Sequence, residues 1–336
     1  MVKEEERSKI TIADVADALG ISKTTVSRAI SGKGRIGQET RKRVMDYIEE
    51  NHYKPSPIAK GLAHSKTYNI GWAMPGDSTI PSLPFFQRCM LGVSEVAVSE
   101  DYDILLTMVY EDDISQLKRV ANNRKVDGFI LGRTLMEDAG AAFLKESGMP
   151  FVTIGSTSLQ DVVQVDNDHI SACKELTSIL VMKGIRRIAV IGGGLNHVVN
   201  HTRLRGFQLA CEELSINQDP DLIYMNNEAA ADVERAVDDA LRNQVECIVC
   251  MDDRVCGATL AKLRKENVHI PEDVKVASFY NSELLENNQP AITTLQYDPK
   301  ELGAVACRTL FDMLEGKRVQ NKQLVGYEVL LKGSTQ

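Results

Sequence analysis

Between residues 11 and 32 (TIADVADALGISKTTVSRAISG), Ile12, Val15, Ala16 and Leu19 recur at i, i+3, i+4 and i+7. That spacing puts one apolar stripe on a short helix. Thr11 serves as its N-cap, and Gly20 ends it where a left-handed residue is needed. Ser22 caps a second helix in which Val26, Ala29 and Ile30 point inward. Lys23, Thr24, Ser27 and Arg28 are left together on the outside. Cations and hydroxyls on one short helix can hydrogen-bond phosphates and base edges in a DNA major groove. A solvated helical hairpin has the same pattern, so these residues alone leave both readings open. A third helix is predicted from Gln38 to Asn51, with Val44, Tyr47 and Ile48 inward.

The stretch YKPSPIAKGLAHSKT, Tyr53 to Thr67, interrupts this periodicity. Pro55 and Pro57 break the preceding helix, while Pro57 suits the first turn of a new one capped by Ser56. A helix from Pro57 to His64 is too short to stand alone, and Gly61 weakens it by about 1 kcal/mol. The segment is therefore an interdomain linker or a helix that orders only on contact.

Beyond it, short apolar runs alternate with helical patterns, which predicts parallel sheets covered on both faces. Strands are expected at Asn69–Met74, Ile104–Met108, Gly128–Leu131 and Phe151–Ile154. A second set is expected at Arg187–Ile191, Leu222–Met225, Cys247–Met251 and Val274–Phe279. Helices include Phe86–Ser99, Ile170–Met182, Arg203–Leu214 and Arg254–Glu266. Roughly 270 residues suit two lobes. The run Ile292–Gln296 is expected to return the chain to the first lobe, where Asp298-Pro299 starts a helix to Glu315.

The chain has 336 residues and a net charge of −8. Residues 1–67 hold 13 Lys+Arg against 9 Asp+Glu, a balance of +4, so the remainder carries −12. Basic charge is thus concentrated in the head, which matters because phosphate contacts supply most non-specific DNA affinity.

Taken in order, these segments resemble the LacI/GalR family of bacterial transcription regulators. The resemblance is carried by TIADVADALGISKTTVSRAISG, ETRKRV (Glu39–Val44), YKPSPIAKGL (Tyr53–Leu62) and TYNIG (Thr67–Gly71). PFF (Pro84–Phe86), DGFIL (Asp127–Leu131), RLRGF (Arg203–Phe207) and PAITTLQYDPKELG (Pro290–Gly303) continue it. It implies an all-α helix-turn-helix head and hinge before an α/β core of periplasmic-binding-protein-like type, two doubly wound parallel-sheet lobes joined by three crossovers. The expected boundaries are 1–54 for the head and 55–67 for the hinge. The N-terminal lobe then takes 68–167 plus about 297–326, and the C-terminal lobe 168–296 plus about 327–336.

By the same resemblance, Lys23, Thr24 and Arg28 match base-reading positions, and Ser22, Thr25 and Ser27 match positions near phosphates. Leu62 matches the leucine wedged into the central minor-groove step, with Ala59 and Lys60 its neighbours in the hinge helix. The family usually carries Arg where this chain has Lys60, which keeps the charge and loses the planar fork. Two hinge helices packing together imply a homodimer on a pseudo-palindromic operator. No leucine heptad follows Leu331, so a dimer is expected over a coiled-coil tetramer.

Ligands of open α/β sheets bind outside the carboxyl ends of strands, and two lobes add the cleft between them. Phe85 and Phe86, in the loop expected after the first strand, suit one face of an apolar ring. Arg203 falls at the family's ligand-binding arginine, His197 where several members carry a contact, and Asp252 at a residue contacting sugar hydroxyls. An ion pair on the lobe surface is the competing role for Arg203. Where the family reads Gly-aromatic-Asp, this chain reads Ser278-Phe279-Tyr280. Tyr280 replaces an acid, and with His197 and His201 nearby the cleft is expected to lean positive. The effector is accordingly a sugar, with a sugar acid or sugar phosphate favoured by charge.

Other motifs carry no chemistry. Cys247-x-x-Cys250 lies on an apolar strand, where residues three apart face opposite ways. A core role suits both thiols better than a metal or redox pair. Gly192–Gly194 lacks the spacing of a dinucleotide fingerprint. No catalytic triad or carboxylate pair stands out, and no cofactor or metal is expected. With no apolar leader or span, the protein is expected in the cytoplasm. A DNA-binding, effector-responsive repressor of carbohydrate or sugar-acid genes explains head, hinge and acidic body together. The alternative is a regulator controlled by a docked partner protein.

Overall fold

The computed structural model describes residues 10–31, 35–51, 66–77 and 83–336. Two compact units divide at Thr67 and Tyr68. In the first, three helices run Ile12–Leu19 (α1), Lys23–Ser31 (α2) and Gln38–Glu50 (α3). The Thr11 hydroxyl accepts from the Asp14 N–H at 3.4 Å, while the Asp14 carboxylate accepts from the Thr11 N–H at 2.7 Å. This reciprocal cap satisfies N–H groups that an α-helix cannot pair within itself. Gly20 ends α1 at φ 65°. No atom would stand within 4 Å of a Cβ there, so only backbone strain opposes one. Gly20→Ala should cost roughly 1 kcal/mol, read as a lower melting point for the isolated head. Val15, Ala16, Val26, Ala29 and Val44 form the buried centre of the three helices. The helix expected at Pro57–His64, and with it Ala59, Lys60 and Leu62, lies outside the described residues.

The second unit opens with Asn69–Pro75 (β1), Leu83–Ser99 (α4), Asp103–Val109 (β2), Ser115–Asn122 (α5) and Gly128–Leu131 (β3). Ala139–Glu146 (α6), Phe151–Ile154 (β4) and Val163–Asn167 (β5) follow. The chain then crosses and builds a second lobe from His169–Met182 (α7), Ile188–Ile191 (β6), Val198–Glu213 (α8) and Ile223–Tyr224 (β7). Ala230–Arg242 (α9), Cys247–Cys250 (β8), Asp253–Lys265 (α10), Lys275–Ser278 (β9), Glu283–Glu286 (α11) and Thr293–Tyr297 (β10) complete that run. It returns with Pro299–Leu314 (α12) and Lys322–Val325 (β11), and crosses again to Tyr327–Leu330 (β12).

The first sheet has the order β11-β5-β4-β3-β1-β2 and is parallel throughout. The second has the order β12-β10-β9-β8-β6-β7, with β12 alone antiparallel to its neighbour. Both sheets are packed on both faces, which is why strands such as CIVC are apolar at every position. Trp72 and Ile130 face α4 and α12, while Phe129 and Leu131 face α5 and α6. In the second lobe Val190 and Phe279 belong to one core, and Ala189 and Ile248 to the other.

Two expectations are corrected. The run after Ile292 stays in the second lobe as β10, paired with β9 and β12, and the return is made only at Asp298. Its TTLQY residues are buried on both sides, so apolarity alone does not tell which sheet receives it. Phe85 and Phe86 stand in the first turn of α4, not in a loop.

The seven cysteines are all buried and free. Cys247 packs in one core of the second lobe and Cys250 in the other, as alternation along a strand requires.

Candidate DNA-reading face and effector cleft

On α2, Val26 and Ala29 are buried in the head while Ser22, Lys23, Thr24, Ser27 and Arg28 are exposed and Thr25 half-buried. The helical period therefore separates the packing residues from the polar ones, as the sequence spacing predicts. Ser22 is also structural: its hydroxyl accepts from the Thr25 N–H at 3.1 Å and lies 2.8 Å from the Thr25 hydroxyl. Both groups are thus partly committed to the helix start, leaving Lys23, Thr24, Ser27 and Arg28 as the outward set.

In the second unit, a cavity of about 420 Å³ lies between the lobes at the carboxyl ends of the strands. Asp77 follows β1, Glu111 follows β2, Arg133 follows β3, and Asn167 ends β5. From the other sheet come Gly193 after β6, Glu228 after β7, Asp252 after β8 and Tyr280 after β9. Phe85, Phe86, His197, Arg203, Asp252 and Tyr280 all line it. His201 does not; its Nε2 lies 2.6 Å from the Leu195 carbonyl, holding the loop before α8.

Arg203 is 7% exposed. One of its Nη groups donates to the Met251 carbonyl at 2.6 Å, and its Nε has no partner. Among the described residues no carboxylate forms an ion pair with it. Its guanidinium carbon lies 5.8 Å from the centre of the Tyr280 ring. Tyr280 in turn meets Phe85 edge-on at 6.1 Å and stacks on Tyr297 at 6.2 Å. The Tyr280 ring thus lies beside the guanidinium, whose Nε is buried without a partner.

The sign of the cleft differs from expectation. Six carboxylates line it (Asp77, Glu111, Asp166, Glu228, Asp252 and Asp253) against three guanidiniums (Arg133, Arg203 and Arg254). The imidazoles add little: burial, then the nearby Arg203, holds His169 well below the ordinary histidine value. Burial, then Arg133, also lowers His197. Asp253 also lines the cleft beside Tyr280, and burial, then the adjacent Asp252, raises its carboxyl. Asp252 also caps α10, accepting from the Val255 N–H at 2.8 Å.

At the cleft floor, His169 Nδ1 lies 3.1 Å from the Tyr297 hydroxyl, and its Nε2 is 3.6 Å from Asp166. Asp166 accepts from the N–H and hydroxyl of Ser156 at 2.9 and 2.8 Å. Asn167 is 3% exposed, and its amide oxygen has no partner. Close approach shapes the far wall: a Cβ on Gly194 would fall 2.8 Å from the Glu228 carboxylate.

A family model described as bacterial regulatory proteins, lacI family, matches residues 11–56, and one for a periplasmic binding protein-like domain matches residues 177–335. The lacI-family match thus falls on the helical head and the periplasmic binding protein-like match on the core.

The chain is 28% identical to the HTH-type transcriptional regulator MalR of Streptococcus pneumoniae, over 96% of this chain and 99% of that one. Among solved structures, the lac repressor dimer bound to operator and the anti-inducer ONPF superposes with a TM-score of 0.80. It is 20% identical, with 98% and 99% of the two chains covered. A CelR–cellobiose complex superposes with a TM-score of 0.73 at 24% identity, covering 97% and 99%. At such identities the two superpositions speak for the fold. Among the described residues, no helix is long and apolar enough to cross a membrane.

Proposed function

We propose that this chain is a lacI-family transcription regulator that represses carbohydrate genes as a homodimer on a pseudo-palindromic operator, and that a neutral sugar in the cleft controls it. The carrying observation is the cleft's composition: surplus carboxylates, one buried guanidinium without a carboxylate partner, and an aromatic wall of Phe85 and Tyr280. Carboxylates accept hydrogen bonds from sugar hydroxyls, Arg203 donates to sugar oxygens, and the aromatic rings cover an apolar sugar face. A sugar acid or phosphate would place further negative charge among six carboxylates. A cavity of this size enclosed by one chain also favours a metabolite over a docked protein as the controlling partner. Titration calorimetry of the full chain with neutral mono- and disaccharides, aldonic acids and sugar phosphates is the test. Heat is expected from a neutral sugar alone; binding confined to the anionic sugars would overturn the assignment.

Lys23, Thr24 and Arg28 on α2 read the operator half-site, and Ser22, Thr25 and Ser27 lie at phosphates. Leu62, with Ala59 and Lys60, completes the reading from the hinge. Arg28→Ala should lower specific operator affinity by about 1–3 kcal/mol and flatten base preference at one position of each half-site. Lys23→Arg should retain non-specific affinity while altering sequence choice, both read by gel shift at fixed salt. An Arg28→Ala protein with unaltered base preference would remove it from the reading face.

A further inference from the structure

The two lobes are joined at the mouth of the cleft by a second set of contacts, distinct from the crossovers. The segment Thr134–Met136 of the first lobe lies antiparallel to Asn196–Val198 of the second, with Leu135 bridged to His197. The Met136 N–H donates to the Asn196 carbonyl at 2.8 Å, and the Val198 N–H reaches the Thr134 carbonyl at 3.4 Å. Asn196 is held at its other end too, because its side-chain amide donates to the Glu111 carboxylate at 2.8 Å. His197 Nε2 approaches the same carboxylate at 3.5 Å. Arg133, the neighbouring cation, is committed to Asp77 at 2.7 Å and stands 4.0 Å from Glu111.

The placement of Asn196 gives this contact its leverage. It directly precedes His197, the N-cap of α8, the helix that carries Arg203 into the cavity. Its own lobe fixes the loop from behind, through the Leu195 N–H on Asn226 at 2.9 Å. The loop around Asn196 is thus pinned from both lobes at the cleft mouth.

We propose that Asn196 is an interlobe latch, a positioning residue that keeps the cleft shut through the Met136 N–H and the Glu111 carboxylate. The latch bears on an effector only through the reading of the cavity as the effector site. Its test uses no ligand, so the two ideas fail separately.

Asn196→Asp preserves shape but sets a carboxylate against Glu111, turning an attraction into a repulsion. Hydrogen exchange of the full-length protein, read at Met136, reports the opening directly. Exchange there is expected to rise about tenfold or more in Asn196→Asp, since closure loses a charge-assisted bond and gains a like-charge contact. Buried amides within β3 and β6 should keep their protection. Adding Glu111→Gln to Asn196→Asp restores a donor facing an acceptor, and exchange at Met136 should return toward the original rate. A loop residue with a merely local structural role would show no such rescue. Unchanged exchange in Asn196→Asp, or no recovery in the double variant, overturns the latch.

Discussion

Arg203→Met is expected to lower affinity for the neutral sugar about a hundredfold while the fold persists. A charged donor is worth about 1.5–3 kcal/mol per hydrogen bond in a desolvated site, and each 1.4 kcal/mol is tenfold in affinity. Two such bonds from one guanidinium reach that figure. Methionine keeps most of the buried stem against Tyr280, so the loss falls on the donor and charge. The Met251 carbonyl gives up its 2.6 Å partner, which limits the structural cost to one acceptor. Calorimetry supplies the affinity and thermal unfolding the control. A variant that still titrates with undiminished affinity removes Arg203 from the site.

The largest effect on stability is expected at Gly303. Helices α4 and α12 cover one face of the first sheet and touch backbone to backbone. A Cβ on Gly303 would stand 2.0 Å from the Cys89 carbonyl oxygen, and one on Gly92 1.9 Å from the Lys300 carbonyl oxygen. Neither obstacle is the end of a flexible side chain, so the helices themselves must separate. Gly303→Ala should therefore cost about 3 kcal/mol, at the upper end of overpacking effects. That corresponds to a melting point lowered by roughly 5 °C for a unit of this size. Equal stability in this variant would mean that the two helices slide freely.

Much of this architecture is legible from periodicity. The stripe Ile12, Val15, Ala16, Leu19 and the outward set on α2 follow from a 3.6-residue repeat. Strands such as Gly128–Leu131 announce themselves because a buried parallel strand is apolar at every position. Less visible are β5, β11 and β12. VQVDN carries polar residues into a buried strand, where Asp166 is held by Ser156. KQLV alternates exposed and half-buried positions at a sheet edge, and its polarity resembles a loop. Which lobe receives β10 is set by pairing with β9 and β12, a long-range fact absent from the run itself.

In the cleft, Phe85, Phe86, His197, Arg203, Asp252 and Tyr280 could be found by family resemblance and strand-end position, and one cavity gathers them. Asp77, Glu111, Arg133, Asn167, Glu228 and Asp253 belong to no motif that marks them as cleft residues. A usable signal existed, since Asp77, Glu111, Arg133 and Asn167 end or closely follow strands of one sheet. Isolated charges after a strand are common on any surface, however, and only the facing lobe reveals their convergence. The sign of the cleft is hidden for the same reason: Tyr280 stands in the sequence as a missing acid, while the carboxylates that outnumber the guanidiniums converge only from facing strand ends.

The buried state of all seven cysteines has a practical side. Thiol reagents react with accessible thiolate, and burial raises the Cys89, Cys173 and Cys247 thiols far above their ordinary range. A single cysteine introduced on the surface would thus be the preferred target of a maleimide dye without removal of the native ones. One dye on each lobe would then turn opening and closing into a change in energy transfer, followed on the unmodified core.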